Sequence, residues 1–192
     1  MIATRLLPLL LLALLVSCAG NPVASTQYLL PADSAAAASA AVEPSRVLVV
    51  RPLQIADFLN DEGIVLQLDD ITLNQATTNR WAEQPAMMLQ RGLRQRLANR
   101  LPDVEVMDAN TRAGGDLQLL VEVNSFQGTH NGDAVAAGQW QLRDASGEVI
   151  LQRSFQAVTR LDNDGYPALV RALGRSWDQV ATDIAAGIAA SR

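Results

Sequence analysis

The sequence predicts an α+β domain: a mixed or antiparallel sheet with two amphipathic helices packed on it. Three observations carry that prediction. Leu117, Leu119, Val121 and Val123 alternate with Gln118, Leu120, Glu122 and Asn124, which is the period of a half-buried strand. Segments 134–143 and 148–159 flank Asp144-Ala145-Ser146-Gly147, a hairpin turn, so the three segments make an antiparallel meander. Over 83–100 and from Asp164 onward the apolar period changes to three and four, the spacing of one helix face. Helices with a single apolar stripe must bury it, and the sheet is the surface available.

In chain order, Met1–Arg5 supplies one positive charge and Leu6–Val16 an eleven-residue apolar run. A membrane-spanning helix needs about 20 apolar residues, so the run has the length of a signal-peptide core. It ends in Leu15-Val16-Ser17-Cys18, followed by Ala19-Gly20. This is the bacterial lipobox, in which a small residue, Ser17, precedes the Cys that is acylated and becomes the mature N-terminus. The chain's single Cys sits at that position. Residue 19 is Ala and not Asp, which points to release to the outer membrane, facing the periplasm. Residues 1–17 are therefore read as a lipoprotein signal peptide and Cys18 as the lipidation site.

From Cys18 to about Ser45 the chain is rich in Ala, Ser and Pro and too poor in large apolar side chains to repay its ordering entropy. It reads as a flexible linker over 18–45, with an extended reach on the order of 90 Å. Within it, Tyr28-Leu29-Leu30 is an apolar island that either has no structural role or docks on the folded part as an added strand. A single domain is expected over 46–192.

That domain begins with Val47-Leu48-Val49-Val50, a buried-strand run. Ile64–Leu68 and Ile71–Leu73 form a hairpin around Asp69-Asp70. In the first helix Ala86, Leu89, Leu93 and Leu97 share a face, and Pro102 stops it. Val104 and Val106 mark a short strand before the meander. In the second helix, with Asp164 as expected N-cap and Pro167 near its first position, Leu169, Leu173, Trp177, Val180, Ile184 and Ile188 share one face.

Composition narrows the function. With 20 acidic against 15 basic residues the chain is net acidic, which removes the electrostatic attraction that dominates nucleic-acid binding. One Cys and one His cannot supply a disulfide or the usual zinc ligand set. Every basic residue is Arg, so Lys-based mechanisms are absent. His130 lies in a polar loop without a second His. Asp162-Asn163-Asp164-Gly165 lacks the later oxygen ligands of a calcium loop. Asp61-Glu62 and Asp69-Asp70 are sequence neighbours that point to opposite faces of an extended segment. No catalytic residue, metal site or cofactor is expected. Arg91, Arg94 and Arg96 form a basic strip without an acidic residue between Glu83 and Asp103, read as a solvated face that an acidic partner or lipid headgroups would also suit. Trp81 and Trp140 read as core residues on or beside strands, and Trp177 packs from its helix.

The order of these features resembles the PqiC family, auxiliary lipoproteins of a paraquat-inducible, ABC-type-related transport system. The residues that carry the resemblance are the lipobox at Cys18, Tyr28-Leu29-Leu30, Asp57-Phe58-Leu59 leading to Gly63-Ile64-Val65, and Asn79-Arg80-Trp81-Ala82-Glu83. Further on they are Phe126-Gln127-Gly128, Gly132, Gly138-Gln139-Trp140-Gln141-Leu142, Asp164-Gly165-Tyr166 and Trp177. The likeness runs from Cys18 to about residue 188, and departs in having one Tyr before Leu29 where relatives often have two aromatic residues. It implies a non-enzymatic lipoprotein at the outer membrane, serving intermembrane phospholipid transport and envelope integrity. The implied partners are a PqiB-like MCE-domain protein that bridges the periplasm and a PqiA-like inner-membrane component. It further implies a homo-oligomeric ring that docks the end of the MCE tube, with the docking surface sought around Trp81, Phe126 and Trp140. Two other classes suit the same layout: a regulatory lipoprotein that activates a periplasmic cell-wall synthase, and an envelope hydrolase whose site forms no motif.

Overall fold

The computed structural model describes residues 24–32, 43–109 and 115–191. The signal peptide, Ser17 and Cys18 lie outside the described residues. The fold is α+β, as expected. Its strands are β1 (Thr26–Tyr28), β2 (Arg46–Val50), β3 (Gln54–Ile55), β4 (Gly63–Gln67), β5 (Leu73–Trp81), β6 (Val104–Asp108), β7 (Leu117–Thr129), β8 (Asp133–Asp144) and β9 (Val149–Arg160). The helices are α1 (Pro85–Arg100) and α2 (Tyr166–Ala190), with a short 3-10 turn at Asp57–Leu59.

The described strands form one mixed sheet organised around β7. Along one side β7 pairs antiparallel with β8, and β8 with β9, which is the expected meander. Along the other side three strands follow one another, all parallel to β7. Leu48–Val50 of β2 pairs near its start, Gln54 and Ile55 of β3 in its middle, and Leu66 and Gln67 of β4 at its end. Outside these, β6 runs parallel to β2, β5 antiparallel to β4, and β1 parallel to β5.

β7 is longer than its alternation indicates because a bulge between Val123 and Ser125 inserts one extra residue. Before it, Leu117, Leu119, Val121 and Val123 point into the core; after it, Phe126 takes up that side one step out of phase. The same β8 pairing places Gly138 opposite Val123, where a Cβ would come within 2.0 Å of the Glu122 carbonyl oxygen. No other residue fits that approach.

Both helices lie together on one sheet face, α2 across β7, β8 and β9 and α1 against α2 and β6. The six expected apolar positions of α2 are all buried, and Leu89, Leu93 and Leu97 of α1 join them, while Ala86 is half-buried. The capping of α2 differs from expectation. Its N-cap is Gly165, at φ 96°, and no side chain caps it; Asp164 stands one residue outside. The chain enters the helix through a left-handed residue, which glycine adopts without steric cost, and Pro167 follows in the first turn, where its missing N–H costs nothing.

Candidate functional site

The expected linker is shorter than its composition suggests, because the apolar island folds onto the domain. Thr26, Gln27 and Tyr28 pair with Asn79, Arg80 and Trp81, and the Ala82 amide donates to the Tyr28 carbonyl at 2.9 Å. The Tyr28 hydroxyl donates to Asn79 Oδ1 at 3.0 Å. Beyond the strand the chain crosses both helices over two glycines. Leu30 lies above Gly92 of α1, and Pro31 lies against Gly174 of α2, where a Cβ would meet the proline ring at 3.1–3.4 Å. Residues 26–31 are thus a strap across the helix pair.

Arg96 fastens the strap. Its guanidinium is 1% exposed and distributes its donors among three partners. Nε donates to Asp178 Oδ1 at 2.5 Å, Nη2 to the Pro31 carbonyl at 2.7 Å, and Nη1 to the Gly92 carbonyl at 3.2 Å. A buried charge is tolerated when it is paired and hydrogen-bonded in this way. One residue therefore ties α1, α2 and the N-terminal segment together.

For Arg96 this corrects the reading of a solvated strip, while Arg91 stays exposed and the others are paired or bonded as well. Arg91 pairs with Glu83, and the bond holds the Glu83 carboxyl below and the Arg91 guanidinium above their ordinary ranges. Arg94 pairs with Asp108 at 2.5 Å. Arg100 donates to Thr182 Oγ1 at 3.0 Å. The acids that neutralise the helix lie outside it in sequence, where spacing along the helix cannot reveal them.

Trp81, Phe126 and Trp140, around which docking was sought, are all buried. The structure brings two of them together: the Trp81 and Phe126 rings are 6.1 Å apart, and Phe126 meets Trp177 edge-on at 5.9 Å. Phe155 meets Trp177 from the other side at 6.3 Å. Trp140 stands apart, seated against Gly187, where a Cβ would lie 2.6 Å from its ring. These side chains face the helices because strand alternation turns them to the core. They support the sheet from its helix side.

That opposite face carries a shallow groove of about 510 Å³ directly behind Trp140. It is lined by Arg51, Gln54, Leu120, Glu122, Gln139 and Arg143, among others. Gln139 Nε2 donates to Glu122 Oε2 at 2.7 Å, and Arg143 donates to Gln141 Oε1 at 2.8 Å. Glu122, Gln139, Gln141 and Arg143 of this lining are polar alternates of the strands whose apolar members form the core. Their alternation was visible in the sequence, but which alternates share a groove depends on the β7–β8 register.

The carboxylates singled out in the sequence serve local structure. Glu62 pairs with Arg80 at 2.5 Å and Asp162 with Arg175 at 3.0 Å. Asp69 accepts from the Ile71 and Thr72 amides of its own turn, which hold its carboxyl below the usual range. Asp144 does the same for the β8–β9 turn, its carboxyl lowered chiefly by the Ser146 hydroxyl. Among the described residues no group of three or more His, Cys, Asp and Glu is placed to hold a metal ion. Among them, too, no helix is long and apolar enough to cross a membrane.

Residues 28–185 match the family of ABC-type transport auxiliary lipoprotein components. Over 171 residues the chain is 29% identical to the intermembrane transport lipoprotein PqiC of Escherichia coli (strain K12), spanning 89% of this chain and 90% of that one. The intermembrane transport lipoprotein PqiC of Shigella flexneri matches to the same extent. A crystal structure of an uncharacterized protein, 29% identical, superposes with a TM-score of 0.74 over 86% of this chain and 99% of its own. One from Xanthomonas campestris, 17% identical, superposes at 0.75 over 87% of this chain and 96% of its own, a likeness of fold. With most of the strap, the two-helix layer and the mixed sheet inside the matched span, the chain belongs to the family of ABC-type transport auxiliary lipoproteins of the PqiC kind.

Proposed function

We propose that this protein is a lipoprotein subunit of an MCE-type intermembrane phospholipid transport system, anchored in the outer membrane and facing the periplasm. It docks a PqiB-like MCE-domain protein, works with a PqiA-like inner-membrane component, and assembles as a homo-oligomeric ring around the end of the MCE tube. The observation that carries this reading is the 29% identity to PqiC intermembrane transport lipoproteins along nine-tenths of both chains. The lipobox supports the anchor, because three acyl chains, each worth about 0.8 kcal/mol per buried methylene, hold a protein on a membrane essentially permanently. Carboxylates engaged in turns and ion pairs, with no catalytic constellation in the sequence, support a binding subunit over an enzyme. The docking surface is the groove of Arg51, Glu122, Gln139 and Arg143, which the buried Trp140 supports from behind.

Two measurements test this reading. A photo-crosslinking residue at Gln141, in the intact envelope, is expected to capture the MCE-domain protein. Capture of a cell-wall synthase without any MCE-domain partner would replace the transport reading with the regulatory one. Labelled palmitate is expected to enter the protein and to be lost completely in Cys18→Ala. Label that persists in that variant, or never enters the native chain, refutes the anchor.

A further inference from the structure

The direction in which the strap leaves the domain has a consequence for how the domain meets its membrane. β1 runs parallel to β5, with Thr26 opposite Asn79 and Tyr28 opposite Trp81. The chain before Thr26 therefore departs toward the start of β5, which is the β4–β5 hairpin tip. From Asn79 back to Leu73 is six residues, and two more reach Ile71, about 25 Å in all at strand rise. Eight Cα steps lead from Cys18 to Thr26, and a chain of that length spans at most about 29 Å. The two lengths match, so a lipid on Cys18 can stand level with the hairpin tip and little beyond it.

The tip is apolar where a soluble turn is ordinarily polar. Ile71 is 86% exposed, the most exposed large hydrophobic residue described, and Leu68 and Leu73 on either side are 46% and 42% exposed. Of the other exposed large hydrophobics, Leu29, Phe58 and Met87 stand singly, and β9 carries Val149, Ile150 and Val158, none more than 49% exposed. The turn that carries Ile71 is held firmly: Asp69 accepts from the Ile71 and Thr72 amides at 2.9 and 2.7 Å, and the Leu68 amide donates to the Thr72 carbonyl at 2.9 Å. Asp69 thus turns its carboxylate into the turn, and no Arg stands within residues 68–73.

We infer that the hairpin tip Leu68–Leu73 is a membrane contact, inserting Ile71 into the lipid interface beside the acyl anchor and so orienting the domain with the β8–β9 turn pointing away. This rests on the proposed lipidation of Cys18. The contact is apolar: Asp69 and Asp70 bring negative charge, so anionic lipid does not strengthen it. The β8–β9 turn lies at the far end because β8 runs from Asp133, beside the tip end of β7, to Asp144.

The test uses the mature, acylated full-length protein, in which Ile71→Cys supplies the one free thiol because Cys18 carries lipid. An environment-sensitive fluorophore is attached there, or at Ser146→Cys in the β8–β9 turn as reference. Both are read on vesicles of phosphatidylethanolamine and phosphatidylcholine. At position 71 the emission is expected to shift to the blue and to be quenched by spin-labelled phospholipid, while at 146 it stays aqueous and unquenched. Adding phosphatidylglycerol is expected to leave the shift unchanged or reduce it; a shift that appears only with that lipid overturns the apolar contact. Protein that floats with vesicles but stays aqueous at 71 overturns the inference and leaves the anchor standing. A blue shift without quenching from lipid assigns the tip to a protein contact and also overturns it. Native protein that fails to float refutes the anchor and this contact together.

Discussion

Trp177→Ala is expected to lower the unfolding free energy by about 4 kcal/mol, the range for removing a fully buried Trp. Trp177 is 0% exposed and touches three elements outside its own helix, β7, β9 and α1. Its indole ring receives Phe126 of β7 edge-on at 5.9 Å and Phe155 of β9 at 6.3 Å. Its Nε1–H donates to the Leu89 carbonyl of α1 at 3.2 Å. Truncation leaves a cavity between sheet and helices that neighbouring aromatic rings cannot collapse to fill. Trp177→Phe keeps most of the apolar contact and loses the hydrogen bond, so its expected cost is smaller, about 1–2 kcal/mol. Domains of this kind are stable by about 5–15 kcal/mol, so the Ala variant could fall below the level needed to fold. In that case the Phe variant still reports. Denaturant unfolding measures both; an Ala variant within about 1 kcal/mol of native would show that the aromatic cluster does not hold the layers together.

Asp178→Leu is expected to cost about 3 kcal/mol, because it strands the Arg96 guanidinium in the core without its counter-charge. The estimate is set at the lower end of the range since the Asp178 side chain keeps 17% exposure and Arg96 retains the Pro31 and Gly92 carbonyls. The sharper expectation concerns the pair. In Arg96→Met with Asp178→Leu no charge is left buried, so the double variant should be more stable than Asp178→Leu alone. The strap supplies a separate readout. Without Arg96 the Pro31 carbonyl loses its donor, and the Ala82 amide, which donates to the Tyr28 carbonyl, should exchange its hydrogen faster. Additive effects of the two substitutions, with unchanged exchange at Ala82, would mean that Arg96 neither depends on Asp178 nor holds the strap.

Much of this architecture was legible because its signals are local. β2, β6, the β4–β5 turn and the meander of β7, β8 and β9 announce themselves through residues a few positions apart, and so do both helices. Trp81 and Trp140 read as core residues and, with Phe126, as a landmark for docking, and all three side chains are buried. What was illegible depends on partners distant in sequence. Arg96 looked like one member of a solvated strip because its acid lies 82 residues away on the other helix. β7 looked as though it ended at Asn124 because the bulge breaks alternation without ending the strand. The Tyr28-Leu29-Leu30 island is too short to show periodicity, and the strand that forms there, Thr26–Tyr28, includes only its first residue and is set by pairing with β5 fifty-three residues on.

The sequence by itself determined both helices, most of the strands and the membership of a transport lipoprotein family. Each is written in contiguous residues or in composition. Only the tertiary structure decided that β2, β3 and β4 queue along one side of β7 and that the arginines of α1 are neutralised. Only it decided that Thr26–Tyr28 is a strand on β5, so that the folded part begins earlier than the composition suggests. The physical reason is common to all three: closing a long loop is repaid by burial and pairing at its far end, and no window of neighbouring residues contains both ends.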